Sequence, residues 1–140
     1  MGTTITKDLE FDAAHRLRGH ESLCANLHGH RYRIQVEVSA ESLDRLGRVV
    51  DFGVVKARLG EWIAEKWDHA CIVESADETL VRFLEMEGQR FYLLPGPPTA
   101  ELMAESFFSV AERLLIQDGV RVESVTVWET PSSRATFRRT

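Results

Sequence analysis

The sequence predicts an α+β domain: a four-stranded antiparallel sheet in ββααββ order with helices on one face. Three observations carry this. Two runs near the N-terminus alternate apolar and polar residues as strands do, two more alternate near the C-terminus, and the stretch between them shifts to a helical period. With 140 residues, 44% of them hydrophobic and 28% charged, the chain reads as one domain, residues 1–140, with material for one core.

Residues 3–15 alternate through Ile5, Leu9, Phe11 and Ala13 and form the first strand. Residues 16–27 follow neither period and are a loop. Residues 29–39 are the clearest strand, with Tyr32, Ile34, Val36 and Val38 on one face and Arg31, Arg33, Gln35 and Glu37 on the other. From Asp51, an N-cap, the positions Phe52, Val55, Leu59, Trp62 and Ile63 trace one face of a helix that ends at Asp68-His69. A shorter helix over 76–87 and an extended piece over 89–94 lead to the break at Pro95-Gly96-Pro97-Pro98. A long helix over 99–117 then carries an apolar stripe through Leu102, Met103, Phe107, Val110 and Leu114 and stops at Gly119. Residues 120–129 alternate with a slip near Glu123-Ser124, and 134–138 are the last strand. Such a sheet leaves edge strands unpaired, so self-association is expected.

The net charge of −5 argues against a nucleic-acid binder. No apolar run reaches membrane-spanning length, and Met1–Asp8 lacks a basic start followed by an apolar stretch. The expectation is a cytoplasmic protein without membrane contact, with Cys24 and Cys71 reduced.

The chemistry concentrates in His15 and the segment Cys24-Ala25-Asn26-Leu27-His28-Gly29-His30. Strand side chains alternate faces, so His28 and His30 project to one side, and His15, in phase with Phe11 and Ala13, can supply a third imidazole from the neighbouring strand. Three nitrogens with a vacant fourth position describe a catalytic zinc site. Cys24 has two readings: a thiol whose pKa the cation lowers, or a fourth ligand that closes a structural site. Asp68-His69 is a carboxylate–imidazole pair suited to an acid–base relay, provided a turn lets the side chains meet. Cys71, beside Ala70, Ile72 and Val73, is most simply a buried small hydrophobe.

Taken together, these residues resemble the 6-pyruvoyl-tetrahydropterin synthase and 6-carboxy-tetrahydropterin synthase superfamily. The resemblance runs through Phe11-Asp12-Ala13-Ala14-His15-Arg16-Leu17, Cys24 to His30, Val50-Asp51-Phe52, Asp68-His69, Pro98-Thr99-Ala100-Glu101 and Glu129-Thr130. It implies zinc ligands at His15, His28 and His30, a catalytic cysteine at Cys24 and a proton relay at Asp68 and His69. It further implies substrate contacts at Glu129, Thr99 and Glu101, with Glu129 accepting paired hydrogen bonds from a pterin ring.

The implied fold is the tunnelling fold, in which subunits join sheets into a barrel. The implied assembly is a trimer-based homo-oligomer, up to a hexamer, with active sites between subunits. Three residues separate Cys24 from His28, which resembles the carboxy branch of queuosine and deazapurine biosynthesis; the animal-type pyruvoyl synthases usually carry a longer gap. Alanine at position 25 speaks against the folate-linked subgroup, which places glutamate in this loop. The implied reaction converts 7,8-dihydroneopterin triphosphate to 6-carboxy-5,6,7,8-tetrahydropterin, acetaldehyde and triphosphate. Arg16, Arg18 or a neighbour's lysines are candidates for the triphosphate. The alternatives are a pyruvoyl synthase or related side-chain lyase, and a non-catalytic zinc- or pterin-binding module. The segment between His69 and Pro98 is longer than in the most compact members of that superfamily.

Overall fold

A computed structural model describes residues 2–140. Six strands and three helices follow in the order β1 (Thr4–His15), β2 (His28–Ala40), α1 (Phe52–Lys66), β3 (Ala70–Glu74), α2 (Glu78–Met86), β4 (Phe91–Leu94), α3 (Ala100–Leu115), β5 (Val120–Thr130) and β6 (Ser133–Arg138). Short 3-10 turns occupy Leu23–Ala25 and Ile116–Asp118.

The strands form one sheet in the order β4-β3-β1-β2-β5-β6. The four expected strands are its antiparallel part, β1-β2-β5-β6, which runs to the edge at β6. The expectation of a four-stranded, wholly antiparallel sheet is corrected: β3 runs parallel to β1 at Ala13 and Ala14, and β4 runs parallel to β3. The added piece is a strand–helix–strand crossover, the connection that parallel neighbours require.

Its strand escapes a period-two reading because both of its faces are covered. Ala70, Cys71, Ile72 and Val73 are all buried, so the segment reads as a continuous apolar run. Ile72 joins the main core, whereas Cys71 and Val73 pack against Leu80 and Leu84 of α2. Successive strand residues face opposite ways, so α2 covers the face opposite α1 and α3. The placement of all helices on one face is therefore corrected as well.

The main core lies between the sheet and the pair α1 and α3. Phe11 and Tyr32, paired across β1 and β2, stack with ring centroids 5.1 Å apart, and Trp67 closes over Phe11 at 5.5 Å. The expected slip in β5 is a bulge: Glu37 pairs with Ser124 but Val38 pairs with Val122, leaving Glu123 as the extra residue. The bulge keeps both Val122 and Val125 in the core despite their odd spacing. The helix starts are capped as the sequence suggests, with Asp51 accepting from the Gly53 amide at 2.8 Å and Thr99 from the Leu102 amide at 3.1 Å. Gly119 takes the left-handed conformation, φ 72°, that ends the α3 region. No helix among the described residues is long and apolar enough to cross a membrane.

Candidate metal centre and its surroundings

The register of β1 on β2 sets His15 opposite His28 and Ala13 opposite His30. Alternation then sends all three imidazoles to the face covered by α1 and α3, in line with Phe11 and Tyr32. The rings gather with centroids 4.6, 5.1 and 4.8 Å apart for the pairs His15–His28, His15–His30 and His28–His30. His15 is fully buried, and the other two are partly so.

Backbone carbonyls fix the ring tautomers. His15 Nδ1 lies 2.7 Å from the Pro98 carbonyl oxygen, and His28 Nδ1 lies 2.7 Å from that of Asn26. A carbonyl can only accept, so each Nδ1 carries the proton and donates it. Each Nε2 of these two rings is then left with a lone pair pointing inward, and the two nitrogens stand 3.2 Å apart. Imidazoles held by an outer hydrogen bond and open at the other nitrogen are the usual form of metal-ligating histidine. His30 Nε2 is buried without a hydrogen-bond partner.

Glu129, two residues beyond Val127 on β5, brings Oε1 to 3.2 Å from His15 Nε2 and 3.3 Å from His30 Nε2. Electron pairs from imidazole nitrogens and a carboxylate thus converge, an arrangement that calls for a cation. Donor atoms of His15, His28, His30 and Glu129 all lie within 4.8 Å of one another. The nitrogen-rich set suits zinc. The electrostatics agree with a cation-seeking site: burial pulls His30 below the usual imidazole range, which favours the neutral ring with a free electron pair. Burial raises the Tyr32 phenol, whose oxygen lies 3.3 Å from His15 Nδ1.

Cys24 lies on the 3-10 turn Leu23–Ala25, half-buried, and its sulfur is not among the converging donor atoms. This arrangement gives no support to a fourth, thiolate ligand. Asp68 and His69 meet on a turn, as their use as a pair requires: Asp68 Oδ2 is 3.1 Å from His69 Nδ1. His69 holds φ 60°, a conformation uncommon for a residue with a Cβ, and its amide donates to the Asp12 carbonyl at 2.7 Å. The Asp12 amide donates back to Asp68 Oδ1 at 3.1 Å. Burial pushes the Asp68 carboxyl upward, but the Asp12 amide, His69 and Arg31 together hold it below its ordinary value.

The Asp68–His69 pair clusters with the Asp12 side chain, which leaves β1 on the face opposite His15. Within one chain, the relay pair and the three imidazoles therefore occupy opposite faces of β1. His69 is 74% exposed and borders a cleft of about 730 Å³ shared with Leu27, His30, Cys71, Phe83 and Arg90.

Thr99 spends its hydroxyl on capping α3, and Glu101 is exposed on that helix's first turn; neither joins the imidazole cluster. The Pro98-Thr99 segment nevertheless serves the site, because Pro98 supplies the carbonyl that orients His15. Arg16, a candidate for the triphosphate, is instead committed to Asp77, with Nε to Oδ2 at 2.7 Å and Nη2 to Oδ1 at 2.6 Å. Burial lifts the Cys71 thiol to about 11, which suits its reading as a small core residue.

Comparison with known proteins identifies the lineage of this arrangement. Residues 4–140 match the family described as 6-pyruvoyl tetrahydropterin synthase. The chain belongs to that family. Among its relatives, the 6-carboxy-5,6,7,8-tetrahydropterin synthase of Rickettsia felis is 36% identical over 129 residues, covering 91% of this chain and 94% of the relative. The protein of the same name from Haemophilus influenzae is 34% identical over 135 residues, covering 92% and 94%.

Solved structures share the fold. The Caenorhabditis elegans 6-pyruvoyl tetrahydropterin synthase superposes with a TM-score of 0.70 at 22% identity, covering 99% of this chain and 96% of its own. An uncharacterized protein from Wolinella succinogenes gives a TM-score of 0.87 at 24% identity, covering 100% and 99%. The tunnelling-fold expectation thus holds, and the likeness extends over β3, α2 and β4 as well as the four antiparallel strands.

Proposed function

We propose that this chain is a zinc-dependent 6-carboxy-5,6,7,8-tetrahydropterin synthase that converts 7,8-dihydroneopterin triphosphate and water to 6-carboxytetrahydropterin, acetaldehyde and triphosphate. The observation that carries the reading is the convergence of His15, His28 and His30, with two Nδ1 protons committed to carbonyls, in a chain 36% identical to a relative of that name. The short gap between Cys24 and His28 favours the carboxy branch. Queuosine or deazapurine biosynthesis is the corresponding pathway, and the cytoplasm the corresponding location.

His15, His28 and His30 would hold the zinc through Nε2. Bound there, it supplies Lewis acidity toward the hydroxyls of the substrate side chain. The chain's own groups account for the remaining work. Cys24, as thiolate, takes the proton from the side-chain carbon next to the ring. Asp68 orients His69 through Nδ1, which leaves Nε2 to move a proton at the other face of the substrate. Glu129 accepts hydrogen bonds from the ring amino group and ring N–H, and Thr99 and Glu101 border the substrate.

Since the Asp68–His69 pair and the imidazoles lie on opposite faces of β1, we take a complete site to need a relay pair from a second subunit, in a trimer-based homo-oligomer or hexamer. The unpaired edge of β6, together with the length of β1 that β3 leaves free, supports this. Incubation of zinc-loaded protein with 7,8-dihydroneopterin triphosphate tests the proposal. Formation of acetaldehyde with the carboxylated pterin is expected; release of triphosphate with every side-chain carbon retained on the pterin would reassign the protein to the pyruvoyl branch.

A further inference from the structure

The segment 70–97 carries a feature that the proposed reaction does not use. Asp77 is 2% exposed and sits at the start of α2, where its Oδ1 accepts from the Leu80 amide at 3.3 Å. The same carboxylate receives the two-pronged Arg16 fork at 2.7 and 2.6 Å. Arg18 adds a second tie to the segment, with Nη2 3.3 Å from Glu74 Oε1 and Nε 3.8 Å from Asp77 Oδ2. Paired, planar contacts of this kind fix orientation as well as distance.

What the fork holds is the root of the loop that bears Cys24. Arg16 follows His15 directly, and the next residue, Leu17, donates its amide to the Cys24 carbonyl at 2.9 Å. His20 then donates to the Leu17 carbonyl at 3.1 Å, folding the loop back on its own start. Fixing Arg16 therefore fixes the Leu17 amide, and through it the backbone of Cys24. Outside these bonds, few buried apolar groups hold the loop, since Leu23 is 80% and Leu27 50% exposed.

We propose that Arg16 and Asp77 are positioning residues that latch the Cys24 loop to the β3–α2 crossover and hold the thiol in register with the three imidazoles. The inference rests on the reading of Cys24 as the base, and it gives the added segment a task in that reading. A thiol displaced by about 1 Å loses on the order of a hundredfold in rate even when every reacting group is intact.

The test uses the full chain. Asp77→Asn keeps an oxygen for the Leu80 amide, so the α2 cap survives, but it removes the charge and one of the two oxygens that the Arg16 fork needs. Arg16→Lys removes the fork from the other side and carries the test if Asp77→Asn does not fold. For either variant we expect zinc content unchanged and kcat reduced by about ten- to a hundredfold. KM for 7,8-dihydroneopterin triphosphate should change little, and both hydrogen exchange at the Leu17 amide and Cys24 alkylation by iodoacetamide should accelerate.

Variants that lower only the melting temperature, with kcat, Leu17 exchange and Cys24 alkylation at wild-type levels, would overturn the latch. If the wild-type protein makes no carboxylated pterin, the functional reading fails first. Exchange and alkylation then still decide whether the fork holds the loop.

Discussion

Glu129 stands at the meeting point of two chemistries, and replacing it with glutamine separates them. Its Oε1 lies 3.2 and 3.3 Å from two imidazole nitrogens, yet its proposed task is to anchor the pterin ring. Glutamine has nearly the same shape but only one acceptor oxygen and no charge. The side chain is 27% exposed, so water replaces little of what is lost.

A hydrogen bond to a charged group contributes roughly 1.5–3 kcal/mol, and a largely desolvated one falls in the upper part of that range, about 2–3 kcal/mol. That energy corresponds to about a 30- to 150-fold drop in kcat/KM. Steady-state assays with 7,8-dihydroneopterin triphosphate should show this drop, chiefly as a rise in KM, while elemental analysis finds zinc content at wild-type level. Loss of zinc with KM unchanged would refute the assignment and make Glu129 a fourth metal ligand.

Three further outcomes follow from the same geometry. Cys24→Ala should retain zinc and melting temperature while losing turnover, because the thiol lies outside the converging donor set; loss of zinc would return Cys24 to the ligand shell. Chelation should lower the melting temperature, and zinc at about a hundred times its dissociation constant should restore about 2.7 kcal/mol, or roughly 10 °C by differential scanning fluorimetry. An unchanged melting temperature would count against a site formed by folding.

Asp77 supplies a pH signature. Its Arg16 partner holds the folded-state carboxyl below the ordinary carboxylate range, so the pair stabilises the fold above about pH 4 and that contribution is lost as pH falls through the depressed folded value. Asp77→Asn should therefore melt below wild type at pH 7, with the gap closing in acid. A gap independent of pH would show that charge plays no part.

The sequence was legible where one face of an element meets water. β2 declares itself because Tyr32, Ile34, Val36 and Val38 are buried while the residues between them are not, and the slip at Glu123-Ser124 is a real bulge. β3 was hidden because packing on both faces erases alternation, and with it went the parallel half of the sheet and the placement of α2. The three imidazoles were legible from strand phase alone.

Their orientation was not, since it depends on the carbonyls of Pro98 and Asn26, which carry no side-chain signature. Arg16 stands among the candidates for the triphosphate on sequence because nothing local marks its partner, 61 residues away. The one available hint was Asp77 itself, an N-cap residue placed just before a helical run. Asp68–His69 fell where a turn was expected, but which face of β1 it would occupy could not be read from a dipeptide.

Product analysis tests the central claim most directly. Zinc-loaded protein incubated with 7,8-dihydroneopterin triphosphate should release acetaldehyde and triphosphate in equal amounts and leave 6-carboxy-5,6,7,8-tetrahydropterin. Triphosphate release without acetaldehyde, or no turnover by protein that has bound its zinc, would contradict it.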